Sequence, residues 1–162
     1  GNDGVAGLVK QTEGSIGYVE LAYAVQNKIA YANMKNKAGK FVEPTFDSVS
    51  AAAEGAAKNM PADLRVSITD ADGKNSYPIS GFTWLLIYQN MKDETKAGAL
   101  VKFLKWAMGK GQSFATELYY APLPKAVVKA IKTSQYCFIH GKFINGSRIS
   151  CWSLYITSFC KI

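Results

Sequence analysis

The chain has 162 residues, 48% of them hydrophobic and 19% charged, which is typical of a globular protein with a core and excludes a disordered chain. No apolar run reaches the roughly 18 residues of a membrane-spanning helix, and the opening GNDG is not the basic start of a secretory signal. The formal net charge of +7 would suit a protein that binds nucleic acid. However, the chain has only two arginines, which are isolated, and its lysines alternate with apolar residues as on a solvated helix face. We therefore expect no nucleic-acid binding.

The N-terminal stretch predicts a helix, a glycine turn, a short strand and a second helix. Asn2 or Asp3 can cap the first helix. Its apolar positions recur at helical spacing and predict a buried face made of Val5, Leu8 and Val9. Gly14 suits the turn, residues 15–19 read as the strand, and Glu20 opens the second helix.

The middle of the chain predicts a hairpin, a helix and a half-exposed strand. Residues 29–34 and 40–42 read as two strands around a turn that contains Gly39. Thr45 is the predicted cap of a third helix, which Gly55 and Pro61 would end. Apolar and polar residues alternate over 64–69, as in a strand with one buried face.

A polar turn follows at 70–75 and contains an Asp-x-Asp-Gly run that suggests calcium. An EF-hand loop needs a glutamate at its twelfth position, and counting from Asp70 that position is Gly81. We therefore interpret the run as a plain turn stabilised by Asp and Gly.

The last third predicts one buried strand and three helices. Residues 82–88 are almost continuously apolar, which indicates a strand buried on both faces. Asp93 or Thr95 begins the longest helix, which runs to about Met108. Residues 112–118 form a further helix with Phe114, Ala115 and Leu118 turned inward. The last helix starts at Pro124, and its apolar face is formed by Val127, Val128 and Ile131. Strands and helices thus alternate, which predicts the α/β class.

Four strings, in this order and spacing, resemble one known family. They are GNDGVAGLVKQTEGSIGYVELAYA at 1–24, YPISGFTWLLIY at 77–88, KAGALVKFLKWAMGKGQ at 96–112 and LYYAPLPKAVVKAI at 118–131. Together they resemble the C-terminal half of the phosphate-binding component of bacterial phosphate ABC transporters. The resemblance covers about residues 1–133.

The resemblance implies part of a periplasmic-binding-protein-like fold with two lobes that close on phosphate. It places residues 1–78 in the remainder of the second lobe, and 79–133 in a crossover strand and the C-terminal part of the first lobe. It also implies inorganic phosphate as ligand, ABC permease subunits of the inner membrane as partners and a periplasmic or cell-surface location. No cofactor is implied, and any export signal would precede Gly1.

The family's phosphate ligands are not found in this chain. The family binds phosphate with two loops containing Ser or Thr, an Asp, and an Arg followed by Ser-Gly-Thr, and Arg65 has no such neighbours. One weak anion candidate remains, the N-terminus of the first helix at Gly1, Asn2 and Gly4, where free N–H groups would point outward. The alternative is an ordinary capped helix whose Asp3 repels anions.

The segment 134–162 differs in composition from the rest and predicts an unrelated, non-native or poorly ordered tail. It contains no acidic residue, the sole histidine, His140, and all three cysteines, Cys137, Cys151 and Cys160, whose disulfide state the sequence leaves open. A Cys-x-x-His pair alone does not make a zinc site, which needs paired ligands at both ends. Neither a nucleophile elbow nor a triad is present, so we expect no enzyme and no metal site.

These observations favour a fragment of an extracytoplasmic phosphate-binding protein, with phosphate binding by the fragment alone weak or lost. A free-standing interaction module, or a half-fold that associates with itself through exposed apolar surface, is the alternative. A phosphate-ester hydrolase ranks last because nucleophile, base and metal ligands are all missing.

Overall fold

A computed structural model describes residues 1–61, 64–88, 91–133 and 149–161, the last segment and Leu86 for the backbone alone. Helices and strands alternate, in agreement with the predicted α/β class. In chain order they are α1 (Asn2–Gln11), β1 (Tyr18–Glu20), α2 (Leu21–Gln26), β2 (Met34–Lys35), β3 (Phe41–Val42), α3 (Phe46–Ala57), β4 (Ser80–Tyr88), α4 (Glu94–Ala107), the 3₁₀ helices Lys110–Phe114 and Thr116–Leu118, α5 (Lys125–Thr133) and β5 (Ile149–Lys161). Among the helices of these segments, none has the length and apolar character needed to cross a bilayer.

The first helix is where it was predicted, but its cap and its buried face differ. Gly1 is the N-cap and no side chain caps the helix, so the prediction of Asn2 or Asp3 is wrong. Ala6 is buried, whereas Leu8 is 66% exposed. A small residue faces inward because α1 packs closely against β1 and α2.

The β2–β3 hairpin is shorter than predicted and is anchored by a buried asparagine. Gly39 has a φ of +79°, as the turn requires. The side-chain amide nitrogen of Asn36 lies 3.1–3.3 Å from the carbonyl oxygens of Gly73, Lys74 and Ser76, so these three acceptors share its two hydrogens, and its oxygen accepts from the Lys40 N–H at 3.1 Å. These bonds attach the hairpin to the loop before β4.

Helix α3 begins as predicted but does not end at Gly55. Thr45 and Ser48 form a reciprocal capping box. The helix continues to Ala57, and Gly55 lies inside it because a Cβ at that position would be 2.7 Å from the carbonyl oxygen of Asp72. The glycine therefore permits close approach of the 70–75 turn, which was correctly predicted as a turn.

The salt bridge on that turn joins two exposed side chains. The Lys37 Nζ lies 2.7 Å from Asp72 Oδ1. This hydrogen bond and the opposite charge lower the pKa of the Asp72 carboxyl and raise the pKa of Lys37.

Strand β5 lies between β1 and β4 and pairs antiparallel with both. Its register runs from Tyr88 opposite Ile149 to Ser80 opposite Ser158, with an irregularity between Thr83 and Trp84. The prediction that 82–88 is buried on both faces is wrong, since Thr83 and Tyr88 are exposed. Phe82 shares a face with the exposed Tyr88, and Ile87 shares the other face with the exposed Thr83, so neither face is buried along its whole length.

Residues 64–69 show the predicted alternation without forming a strand. Leu64 and Ile68 are buried, while Arg65, Ser67 and Thr69 are exposed. The segment has no ladder partner among the strands that the structure describes. The side-chain pattern therefore predicted correctly which residues face inward. It did not predict the strand correctly, because a strand requires a neighbouring strand to pair with.

The C-terminal helices pack on the large core. Asp93 caps α4 by accepting from the Lys96 N–H at 3.0 Å, and α5 follows Pro124 with Val127 and Ile131 buried. The predicted helix at 112–118 is instead two 3₁₀ helices. Phe114 and Leu118 are 49% and 58% exposed, so the prediction that they face inward is wrong. Ala115, the third residue predicted to face inward, is buried, so that part of the prediction is confirmed.

Two separate hydrophobic cores result. A small one is formed by Ala6, Val19, Leu21 and Ala24. The large one includes Val49, Ile68, Tyr77, Leu104, Val127 and Ile131. The domain boundaries at residues 78 and 133 stay predictions. The unrelated or non-native origin of the segment 134–162 also stays a prediction. The backbone of 149–161 forms β5, while Cys137 and His140 lie outside the described residues.

Candidate functional site

At the predicted anion site at the start of α1, the Asn2 side chain already has a partner within the protein. The Asn2 Oδ1 accepts a hydrogen bond from the Glu20 N–H at 3.3 Å, so this side chain joins α1 to the start of α2. The Val5 N–H donates to the Gly1 carbonyl at 3.2 Å. The donors that remain for an anion are the N–H groups of the residues before Val5 in the first turn.

The surroundings of this helix end do not resemble an anion cradle. A Cβ on Gly1 or Gly4 would meet no atom within 4 Å, so neither glycine is required by a close contact. The Asp3 carboxylate lies in the first turn, where it interacts favourably with the helix dipole and repels an anion. An anion at Gly1, Asn2 and Gly4 therefore stays a prediction. The alternative of a helix capped by Asp3 is not what the structure has, because no side chain caps α1.

A tyrosine–glutamate contact near this end was not predicted. The Tyr120 hydroxyl donates to Glu20 Oε2 at 3.1 Å, across 100 positions of sequence. Burial of the phenol, the charge of Glu20 and this hydrogen bond raise the pKa of Tyr120 above its usual value. The contact connects the small core to the 3₁₀ region that follows α4, and only the tertiary fold could reveal it.

A cavity lies between the 65–69 segment and the start of β4. It is an open groove of about 670 Å³. Its lining comprises Arg65, Val66, Ser67, Ile68, Thr69, Ser80, Gly81, Phe82 and Trp84. The rings of Phe82 and Trp84 meet edge to face with centroids 5.5 Å apart, so one wall is aromatic.

This groove contains types of donor that bind anions, but it is not a closed site. Arg65, Ser67 and Thr69 are exposed, and the Ser67 Oγ already accepts from the Thr69 N–H at 3.2 Å. The buried Ser80 hydroxyl donates to the Tyr77 carbonyl at 2.9 Å. A dehydrated phosphate needs convergent donors in an enclosed space, and an open groove with apolar walls does not supply that.

Metal-binding side chains do not cluster in the described segments. No group of three or more His, Cys, Asp or Glu residues is positioned there to hold an ion. Two cysteines of the segment 134–162, Cys151 and Cys160, lie in β5, of which only the backbone is described. In the strand register Cys151 is paired with Leu86 and Cys160 with Val19.

Comparison with known proteins identifies the family. Residues 1–110 match the model of the PBP superfamily domain. The phosphate-binding protein PstS of Xylella fastidiosa is 44% identical over 132 residues, which is 82% of this chain and 36% of that protein. The protein of the same name from Haemophilus influenzae is 41% identical over 133 residues, covering 82% of this chain and 40% of that protein.

An archaeal relative extends the similarity. The phosphate-binding protein PstS of Methanocaldococcus jannaschii is 38% identical over 123 residues, 69% of this chain and 31% of that protein. The chain thus spans less than half the length of each of these relatives. All three relatives are named as binding proteins, which agrees with the prediction that the chain is not an enzyme. The α/β chain described here belongs to the PBP superfamily and is similar, over most of its length, to its phosphate-binding proteins.

Proposed function

We propose that the chain contributes the C-terminal half of an extracytoplasmic phosphate-binding protein that delivers inorganic phosphate to an ABC permease. The observation that carries this proposal is the 44% identity to a phosphate-binding protein over 82% of the chain. The role is binding and release by closure of two lobes, without a chemical step. The proposed location is the periplasm or the cell surface, and the proposed partners are the permease subunits of the inner membrane.

We further propose that the chain by itself binds phosphate weakly or not at all. The family's ligands are expected upstream of Gly1, and the donor-bearing features described above are a helix end beside Asp3 and an open groove beside Arg65. Neither feature excludes water, and an exposed charge gains little interaction energy with an anion in a medium of high dielectric constant.

Isothermal titration of the 162-residue chain with phosphate tests this loss. We expect no heat of binding beyond dilution at phosphate concentrations up to about a millimolar. Sulfate, an anion of similar size, is the control titrant. A dissociation constant of about 1 µM or tighter, equivalent to roughly −8 kcal/mol, would overturn the proposal that binding is lost.

Restoring the missing part tests the function itself. In a chimera, the part of the Xylella fastidiosa protein that has no counterpart here is joined to Gly1. We expect this chimera to bind phosphate at about micromolar or tighter concentrations and to discriminate against sulfate. Replacement of Arg65 by Gln in the chimera should leave phosphate affinity unchanged, because the groove is not the phosphate site. A folded chimera without phosphate affinity would contradict the proposed function.

Self-association of the half-fold is the second candidate, favoured by its exposed aromatic side chains. Phe103, Trp106 and Phe114 are 43–49% exposed. Light scattering across a concentration series tests it. A monodisperse monomer would contradict self-association, and a defined dimer would support it.

A further inference from the structure

The turn at 70–75 carries an exposed Asp-Gly pair close to the end of α3. We propose that Asp72-Gly73 is a modification site at which the chain converts spontaneously to isoaspartate, and that the salt bridge to Lys37 restrains this reaction. The salt bridge joins Lys37 Nζ to Asp72 Oδ1 at 2.7 Å. Neither family membership nor phosphate binding is required for the conversion.

The reaction needs only the Asp72 side chain, the next backbone nitrogen and water. The Gly73 nitrogen attacks Cγ of the protonated side chain, and the N–H proton and a carboxyl OH leave as water. In the resulting succinimide ring, this nitrogen is bonded to both carbonyl carbons of Asp72. Water then adds to one of these carbons and breaks its bond to nitrogen. Cleavage at Cγ restores aspartate, whereas cleavage at the former backbone carbon gives isoaspartate, whose backbone runs through Cβ and Cγ.

Both reacting groups are accessible. The Asp72 side chain is 80% exposed, and Gly73 is exposed as well. Within the described residues the Gly73 N–H donates no hydrogen bond, so none has to break before this nitrogen reacts. Glycine has no Cβ to shield its nitrogen, and the φ of +133° at Gly73 is a conformation that other residues rarely adopt.

A second Asp-Gly pair in the chain has a different conformation and separates the effect of structure from that of sequence. Asp3 and Gly4 lie in the first turn of α1. Helical φ and ψ fix the peptide between them, so ring closure there requires the helix end to open. Asp72-Gly73 lies outside the helices and strands and needs no such opening. We therefore expect the pair in the turn to react faster.

The salt bridge to Lys37 opposes the first step. Ring closure converts the carboxylate into a neutral carbonyl, so the salt bridge has to break as the succinimide forms. The hydrogen bond from Lys37 and its positive charge also lower the pKa of Asp72, which reduces the protonated fraction that can lose water. Because both side chains are exposed, the restraint is modest.

Isomerisation moves the negative charge from the Lys37 side of the turn towards α3. The backbone carbonyl oxygen of Asp72 accepts from the Ser76 hydroxyl at 3.0 Å and would lie 2.7 Å from a Cβ on Gly55. In isoaspartate the carbon of this carbonyl becomes the free carboxylate. Gly55 is in the last turn of α3, where the helix dipole is negative and disfavours an added anion. We therefore expect the isomerised chain to melt at a lower temperature.

Peptide mapping by mass spectrometry after incubation in heavy-oxygen water (H₂¹⁸O) tests the site. Each passage through the succinimide incorporates one solvent oxygen, and electron-transfer fragmentation distinguishes isoaspartate from aspartate. In the folded chain at mildly acidic pH, we expect label and isoaspartate to accumulate about threefold or more faster at Asp72 than at Asp3. In the urea-denatured chain the two rates should be similar. Equal rates in the folded chain, or no label at Asp72, would overturn the proposal.

Two lysine variants test the restraint. We expect Lys37→Gln to isomerise about two- to fivefold faster at Asp72 than the unchanged chain. Lys40→Gln is the matched control on the same hairpin, since Lys40 forms no salt bridge within the described residues, and its rate should be unchanged. An unaltered rate in Lys37→Gln, or the same acceleration in both variants, would overturn the restraining role.

Melting before and after ageing tests the consequence. Asp72→Glu keeps the charge, but its longer side chain cannot close the same ring on the Gly73 nitrogen. We expect the melting temperature of the unchanged chain to fall further during ageing than that of Asp72→Glu, and the isoaspartate fraction to melt first. An equal fall in both proteins would overturn the predicted loss of stability.

Discussion

The small core at 6–24 and the large core that extends from Val49 to Ile131 differ in what holds them together. The large core is closed by side chains from α3, α4, α5 and the loops between them. The small core has four fully buried side chains, two of which are alanines, and its strand β1 pairs only with β5 among the described strands. Because stability follows buried apolar area, the N-terminal unit depends on contacts with the rest of the chain, whereas the large core is the source of most of the stability.

Truncation in the large core should have the largest effect. Leu104 is fully buried, and its replacement by Ala leaves a cavity as well as lost contacts. We expect a loss of about 2–5 kcal/mol in the free energy of unfolding, measured by denaturant titration. Leu8→Ala, at a position 66% exposed, is the control and should change stability by less than about 0.5 kcal/mol. Similar losses for both would contradict the burial of Leu104 in the large core and the exposure of Leu8.

Removal of the Asn36 side-chain amide should have the next largest effect. This side chain is 5% exposed and bonds three carbonyls and one N–H. Asn36→Ala leaves these groups without their partner, at a cost of about 2–3 kcal/mol by thermal unfolding. The exposed Asn59→Ala is the control, and an unchanged melting temperature for the Asn36 variant would refute the anchoring role.

Two glycine substitutions should act in opposite directions. Gly55→Ala places a Cβ against the backbone carbonyl of Asp72, and because backbone must move we expect a loss of about 1–3 kcal/mol. Gly98→Ala, inside α4 with no atom within 4 Å, should stabilise by about 0.5–1 kcal/mol through helix propensity. Thermal unfolding of both variants checks the pair, and a stabilised Gly55 variant would show that α3 and the 70–75 turn are not in close contact.

Loss of the Tyr120 hydroxyl should have the smallest effect, and it should be confined to the N-terminal unit. Tyr120→Phe removes the hydrogen bond to Glu20, worth about 0.5–1.5 kcal/mol. Hydrogen exchange should accelerate in β1 and α2 and stay unchanged in α4, whose core is independent of this bond. Uniform acceleration would indicate instead that the two cores unfold as one unit.

The burial of the Tyr120 phenol, together with the charge of Glu20 and the hydrogen bond to it, predicts an alkaline pH dependence. The folded state raises the pKa of Tyr120, so its contribution to stability is complete below the unfolded pKa of about 10 and is lost as the pH rises through the folded value. As the pH rises above about 10, the melting temperature of the wild type should therefore fall more than that of Tyr120→Phe. Parallel curves would show that the tyrosine does not contribute.

Helix termini and turns are the features that sequence predicted best. Thr45 and Asp93 cap their helices, Pro124 precedes α5, and Gly14 and Gly39 adopt positive φ. These features depend on hydrogen bonds and dihedral preferences within a few residues, so the local sequence is sufficient. The family resemblance likewise needed only the order of the strings along the chain.

What the sequence by itself determined is therefore several helix starts and glycine turns, the α/β class and the family. It did not determine every element, because residues 64–69 form no strand and residues 112–118 form two 3₁₀ helices. The tertiary structure alone decided which of the predicted faces are covered. Leu8, Phe114 and Leu118 have apolar side chains at positions that periodicity assigned to a core, yet they are exposed, and β4 is exposed at Thr83 and Tyr88. Periodicity reports that a residue is apolar, whereas burial requires a neighbour, and neighbours come from distant parts of the chain or from another polypeptide.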